Sequence, residues 1–136
     1  MRTINFLAAA ALMIFFININ IAQWQNDVML TFDPAVSTTS YNNATCLASA
    51  GNTLHLAWEE TRDGNNEIYY KRSIDGGTTW GADTRITNDT NYSQKPSIAV
   101  SGVVLHVVWT ETRDGNAEIY YKRSPNGGTT WERIQD

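Results

Sequence analysis

Between positions 53 and 59 the chain alternates, with Leu54, Leu56 and Trp58 on one side, which is the period-two signature of a β-strand with a packed face. A second alternating stretch, 67–72 (EIYYKR), sets Ile68 and Tyr70 opposite Glu67, Tyr69 and Lys71. Asp63-Gly64, lying between them, is a strong hairpin signal. A short apolar strand at 45–49 precedes this pair across an Ala50-Gly51-Asn52 turn, and a strand at 79–86 is expected to follow it. The same order returns at 97–100, 103–110, 117–123 and 130–134. Leu105, Val107 and Trp109 alternate with His106 and Val108, so that strand is apolar on both sides and belongs between two covered faces. Helical periodicity is not seen after the first twenty or so positions.

The recurrence is a true internal repeat. Residues 58–80 (WEETRDGNNEIYYKRSIDGGTTW) and 109–131 (WTETRDGNAEIYYKRSPNGGTTW) agree at 19 of 23 positions with an offset of 109 − 58 = 51. A period near fifty filled with strands and Gly turns indicates a tandem array of blades rather than one closed domain. Residues 24–33 (WQNDVMLTFD) align with 80–89 (WGADTRITND) at an offset of 80 − 24 = 56, and read as the last strand of a blade whose first three strands are elsewhere. A polar connector at 35–40 absorbs the additional five residues, because Tyr41 and Tyr92 are again 51 apart.

Each repeat ends in a turn whose chemistry can be read directly. Asp75 precedes Gly76 and Gly77, where its short carboxylate can accept backbone N–H groups a residue or two on. Either glycine can take a positive φ, Thr78 and Thr79 restart an extended strand, and Trp80 lays a ring over the hairpin. Asn126 replaces Asp75 in the second copy, keeping the acceptor oxygen without the charge, so that turn is expected to hold more weakly.

Composition narrows the setting. Arg2 followed by an unbroken apolar run at 6–17 and by Ala22 reads as a secretory signal peptide over 1–22, too short for a membrane span, leaving 136 − 22 = 114 residues. Without Arg2, 9 basic residues face 14 acidic ones, which argues against a nucleic-acid partner. Cys46 is the single cysteine, so no disulfide framework is expected and a buried thiol is the natural reading. Asn43, Asn88 and Asn91 each begin an N-glycosylation pattern.

With those residues in view, Ser-x-Asp-x-Gly-x-Thr-Trp, satisfied at Ser73, Asp75, Gly77, Thr79 and Trp80, resembles the Asp-box of sialidases and other BNR-repeat proteins. The second copy carries Ser124, Asn126, Gly128, Thr130 and Trp131 at the same places. The resemblance implies an all-β chain: two four-stranded antiparallel blades, 41–89 and 90–136, of a six-bladed sialidase-like β-propeller that is incomplete as a single chain. Residues 23–40 would be the outer strand of a preceding or closing blade plus its connector. It also implies a structural role for the boxes, on the hairpins away from the ligand side.

Family sialidases use a tyrosine nucleophile with a glutamate, an acid/base aspartate and three arginines that clamp the sugar carboxylate. Arg62 and Asp63 occupy the loop where the family's first blades supply an arginine and the acid, but Arg113 and Asp114 duplicate them, and an active site occurs once per ring. An Arg-Ile-Pro segment before the first box is missing, and no Tyr and Glu pair can be assigned. Tyr69 and Tyr70 recur as Tyr120 and Tyr121 and read as wall residues. No catalytic set is therefore assigned.

For Arg62, Asp63 and Asn65, and their copies Arg113, Asp114 and Asn116, the first reading is turn chemistry with solvated charge. The second is repeated donors and acceptors offered to a ligand such as a glycan. His55 and His106 share a strand position without a second ligand nearby, and no twelve-residue calcium loop exists, so neither metal nor cofactor is expected. Trp58, Trp80, Trp109 and Trp131 read as core.

Two blades cannot close a ring. An open blade face of about 400 Å² is worth on the order of 10 kcal/mol, comparable to the stability of a small domain. Further blades are thus expected from a longer chain or from other copies. Three functions follow as expectations: a secreted binding or scaffold module for a glycan or an extracellular or cell-surface protein, a portion of an exo-α-sialidase-type hydrolase, or a lectin closing its ring as a homotrimer.

Overall fold

The computed structural model describes residues 26–39 and 45–132, and every described strand is antiparallel. The expected leader, its cleavage at Ala22, Trp24, the Tyr41 alignment, Asn43 and the end of the strand expected at 130–134 lie outside the described residues. Among the described residues there is no helix, and none long and apolar enough to cross a membrane.

Two sheets form. In the first, β1 (Ser37–Thr38) and β2 (Leu47–Ala50) share one edge of β3 (Thr53–Glu60), which pairs with β4 (Glu67–Ser73) and then β5 (Thr84–Arg85). The second contains β6 (Ser93–Ser101), β7 (Val104–Glu111) and β8 (Glu118–Ser124), extended by a bridge between Arg123 and Glu132. Five and three strands therefore stand where four and four are expected. In the first sheet the outermost line is split into β1 and β2; in the second, only the Glu132 bridge marks a fourth line within the described residues.

The expected 79–86 strand shrinks to Thr84–Arg85 for a local reason. Thr79 donates its N–H to Asp75 Oδ1 at 2.8 Å and its hydroxyl to Oδ2 at 2.6 Å, so its polar groups belong to the turn and not to a ladder. At the other repeat, β6 begins four residues before the expected 97, because a bulge between Gln94 and Ser97 carries the pairing past Pro96. Lys95, at φ 57°, makes that bulge and turns its N–H onto Glu59 Oε2 at 2.7 Å.

Alternation decides which faces meet. Register places Ala57 with Tyr70, Glu59 with Ile68 and Ala48 with His55, so Ala48, Ala57, Ile68 and Tyr70 share one face of the first sheet. Ile98, Val100, Leu105, Val107, Trp109 and Tyr120 share a face of the second. These two faces close on one another with Ile86 to make the core, in which Ala57, Ile68, Leu105 and Val107 are fully buried. Ile68, Leu105 and Val107, so enclosed, each contribute about 1.5–3 kcal/mol.

Shifting by one repeat shows that the stacking is head to tail. Ala57, Ile68 and Tyr70 correspond to Val108, Ile119 and Tyr121, which lie on the opposite, uncovered side of the second sheet. Similarly Leu47 corresponds to Ile98; the former is 50% exposed and the latter 1%.

The turns at 73–80 and 124–131 sit at one end of the sheets. In the first, Ser73 Oγ donates to Asp75 Oδ1 at 2.7 Å and accepts from the Gly77 N–H at 2.8 Å. Asp75 reaches four residues on, to Thr79, rather than the expected one or two. Both glycines take positive φ, 70° and 92°. In the second, Asn126 Oδ1 accepts from Thr130 N at 2.8 Å, and its amide donates to Thr130 Oγ1 at 2.9 Å. The hydroxyl that donates to Asp75 thus becomes an acceptor opposite Asn126.

Candidate functional site

The hairpins joining β3 to β4 and β7 to β8 lie at the end away from those turns, and their side chains are organised from the strands outward. Alternation carries Glu60 onto the same side as Leu54, Leu56 and Trp58, where it is fully buried. Trp58 Nε1 donates to Glu60 Oε2 at 2.7 Å, and Arg62 Nη2 donates to the same oxygen at 2.5 Å. Arg62 also pairs with Asp83 at 2.7 Å, and its guanidinium stacks 4.4 Å from the Tyr69 ring centroid. Hydrogen bonding to Glu60 raises the Arg62 pKa well above its ordinary value. Glu60 Oε1 and Arg62 Nε are left buried without partners.

Asp63 accepts from the Tyr69 hydroxyl and from Arg85 Nη1, the latter at 2.9 Å. Burial first, and then the bond to Asp63, pushes the Tyr69 phenol far above its usual pKa, which holds it protonated and opposes a nucleophilic role. Asn65 donates to the carbonyls of Asp89 at 2.8 Å and Asn91 at 2.9 Å, tying the hairpin to the segment leading into β6. Buried Glu67 closes the cluster with Arg85 Nη2 at 2.5 Å and the Thr87 hydroxyl at 2.5 Å.

The second hairpin repeats this design with one difference. Arg113 grips Glu111 through Nε at 2.5 Å and Nη2 at 2.6 Å, a two-point contact that Arg62 does not make. It lies 4.1 Å from the Tyr120 centroid, and Asp114 accepts from the Tyr120 hydroxyl. That bond to Asp114 pushes the Tyr120 pKa up to about 12. Asn116 meets only the side chain of Glu118, and Asp114 and Asn116 are both exposed.

The six candidate residues are therefore brought together as two neighbouring triads, and Asp89 stands between them. It accepts from Asn65 through its carbonyl, and its carboxylate lies 3.8 Å from Arg113 Nε. Hydrogen bonds from Asn91, backbone and then side chain, hold the Asp89 carboxyl below the usual range. Burial works against ionisation of Asp83, but Lys71 and Arg62 overcome it and lower its pKa. Asn88, in the same loop, is exposed, whereas Asn91 is half-buried with its amide donating to Asp89.

Sequence reasoning overlooked Glu60, Glu67 and Glu111, although the alternation that buries Trp58 and Trp109 places Glu60 and Glu111 on those faces. Asp83 offered no such signal, since its partners lie in other elements. The histidines hydrogen-bond to tyrosines: His55 Nδ1 lies 2.8 Å from Tyr70 Oη, and His106 Nδ1 2.8 Å from Tyr121 Oη. No group of three or more potential metal-binding side chains occurs among the described residues. Trp58 and Trp109 are buried, while Trp80 and Trp131 are partly so.

An open cleft of about 460 Å³ lies at the other end, between His55 and Arg72 of the first sheet and the 125–127 turn of the second. Its charged group is already engaged, Arg72 Nη1 donating to the Gly127 carbonyl at 2.8 Å. No protein-family model matches the chain, and no curated protein matches it.

Proposed function

We propose that the chain is a pair of Asp-box repeat units of a sialidase-like β-propeller, working outside the cell as a binding or scaffold module rather than as a hydrolase. The observation that carries the reading is the equivalence of the two hairpins. Both hold an arginine on a buried glutamate and a tyrosine ring, and both satisfy the hairpin aspartate with that tyrosine's hydroxyl. A catalytic centre is used once and keeps at least one reactive group for its substrate, whereas here each arginine is held by a buried glutamate of its own unit.

What the hairpins leave for a ligand is their rim. Asp63, Asp114 and Asn116 are exposed beside stacked Arg–Tyr pairs, a polar edge over flat rings of the kind that suits sugar hydroxyls. Secretion rests on the apolar leader of the sequence, and the partner in this reading is a glycan, free or carried by an extracellular protein.

Glycan-array binding by the full chain, run beside hydrolysis of a fluorogenic sialoside, tests this. Binding that weakens on Asn116→Ala, with no turnover, is expected. Turnover of the sialoside, or binding indifferent to all three rim residues, would overturn the reading.

A further inference from the structure

The two sheets are equivalent in sequence but not in surroundings, and the first shows what the second lacks. Its Ala57, Ile68 and Tyr70 are covered by the second sheet, while the corresponding Val108, Ile119 and Tyr121 are 38%, 72% and 37% exposed. That uncovered face already has the same local form. His106 and Tyr121 are stacked with centroids 6.0 Å apart, as are His55 and Tyr70 at 6.0 Å.

The first sheet also shows what completes the edge. Beside β4, the Ile86 N–H donates to the Ile68 carbonyl at 2.8 Å, and Thr87 Oγ1 accepts from the Ile68 N–H at 2.7 Å. Asp83 takes Lys71 at 2.6 Å and Arg62 at 2.7 Å. The working pattern is Asp83, Thr87 and Asp89, and at an offset of 56 it is present again as Asp27, Thr31 and Asp33. Two contacts show that this segment is already set in that role. Asp33 Oδ1 accepts from the N–H two residues on at 2.8 Å, as Asp89 Oδ1 does at 3.0 Å. Lys71 Nζ donates to the Leu30 carbonyl, just as Lys122 Nζ donates to the carbonyl of Ile86, the counterpart of Leu30.

The geometry points to a second copy of this chain as the occupant: residues 27–33 of one copy complete the β8 edge of its neighbour, and the Leu47, Leu54 and Leu56 face of the first sheet covers the neighbour's Val108, Ile119 and Tyr121. The sequence match carries this occupant: Asp27, Thr31 and Asp33 bring to the β8 edge the side chains that Asp83, Thr87 and Asp89 supply beside β4. The contact is heterologous, one face on a different one, so it propagates from copy to copy. It rests on the equivalence of the two sheets and on nothing about a ligand.

Transferring the pairing of Tyr69 with Arg85 predicts that Tyr120 of one copy faces Met29 of the next. The test is oxidation of a Met29→Cys, Tyr120→Cys chain in a Cys46→Ser background, beside sedimentation of the full native chain and of Asp27→Lys. Disulfide-linked multimers on a denaturing gel, absent from either single variant, are expected, with a discrete native oligomer that Asp27→Lys shifts to the protomer mass. A native protomer at all concentrations would overturn the proposal. So would aggregation without a discrete species, which would mean that the face needs further repeat units of another chain, or an oligomer that neither cross-links nor responds to Asp27→Lys. Sialoside turnover would leave all these outcomes unchanged, so failure of the binding-module reading is separable from failure of this one.

Discussion

Tyr70 of the first sheet meets Trp131 beyond the last strand of the second, ring centroids 5.1 Å apart and planes at 76°, an edge-to-face contact that links one repeat to the closing turn of the next. The Tyr70 hydroxyl extends this link to the Gly127 carbonyl at 3.2 Å, and burial pushes its pKa up to about 12, so it stays a donor across the physiological range. The boundary between the sheets is thus held at the core by apolar packing and at the turn end by Tyr70 together with Arg72, whose Nη1 donates to the same Gly127 carbonyl at 2.8 Å.

Removing the hydroxyl alone, Tyr70→Phe, is expected to lower stability by about 1 kcal/mol, and Tyr70→Ala by about 3–5 kcal/mol. A glycine pair separates backbone from packing. Gly77 and Gly128 have φ of 92° and 86°, so alanine strains both alike. A Cβ at Gly77 meets only the flexible Leu54 side chain at 3.1 Å, whereas one at Gly128 overlaps the Tyr70 phenol. Gly128→Ala should therefore be the costlier change, by about 1–3 kcal/mol, in denaturant titrations.

Acid should act on the first turn and spare the second. Asp75 is lowered from 3.8 to about 2 by hydrogen bonds from the Thr79 hydroxyl and N–H and the Ser73 hydroxyl, while Asn126 does not titrate. Because the folded pKa lies below the unfolded one, the unfolded chain takes the proton first. The stabilisation is fully present above pH 3.8 and is lost as pH falls through about 2. Asp75→Asn should flatten the acid limb of the stability profile in that window, and Asp75→Ala should destabilise more than Asn126→Ala. Equal losses would remove the charge from the account of the turn.

The buried glutamates make a further contrast. Glu111 holds Arg113 at two points, whereas Arg62 divides itself between Glu60 and Asp83. Glu111→Gln should cost about 1.5–3 kcal/mol by thermal unfolding, and Glu60→Gln less, because Arg62 keeps a carboxylate partner. Asp83→Asn should be milder than Glu111→Gln, since it leaves Arg62 to settle on Glu60.

Much of this architecture could be read from the chain, because strict alternation specifies both a strand and its faces. That Leu54, Leu56 and Trp58 share one face of their strand, and Ile68 and Tyr70 one face of theirs, follows from period two alone, and the Asp63-Gly64 signal fixes where the chain reverses. What resisted reading was competition for hydrogen bonds and contact over distance. Thr79 has strand propensity yet is spent on Asp75. Pro96 argues against a strand until a bulge at Lys95 carries the pairing past it. Glu60 reads as a surface residue by type and as a core residue by register, and register wins because Arg62 pairs its charge and the Trp58 indole N–H donates to it. Asp83 meets Arg62 only through the fold, 21 residues away in sequence.

The account turns on the second sheet being a copy of the first that waits for the same cover. Amide hydrogen exchange at Ile119, measured against Ile68 over a range of protein concentrations, tests this most directly. Ile68 N–H is held by Thr87 within the chain and should be protected throughout. Protection at Ile119 that rises with concentration toward that of Ile68, and disappears in Thr31→Val, is the predicted result; exchange at Ile119 that stays fast at every concentration would contradict it.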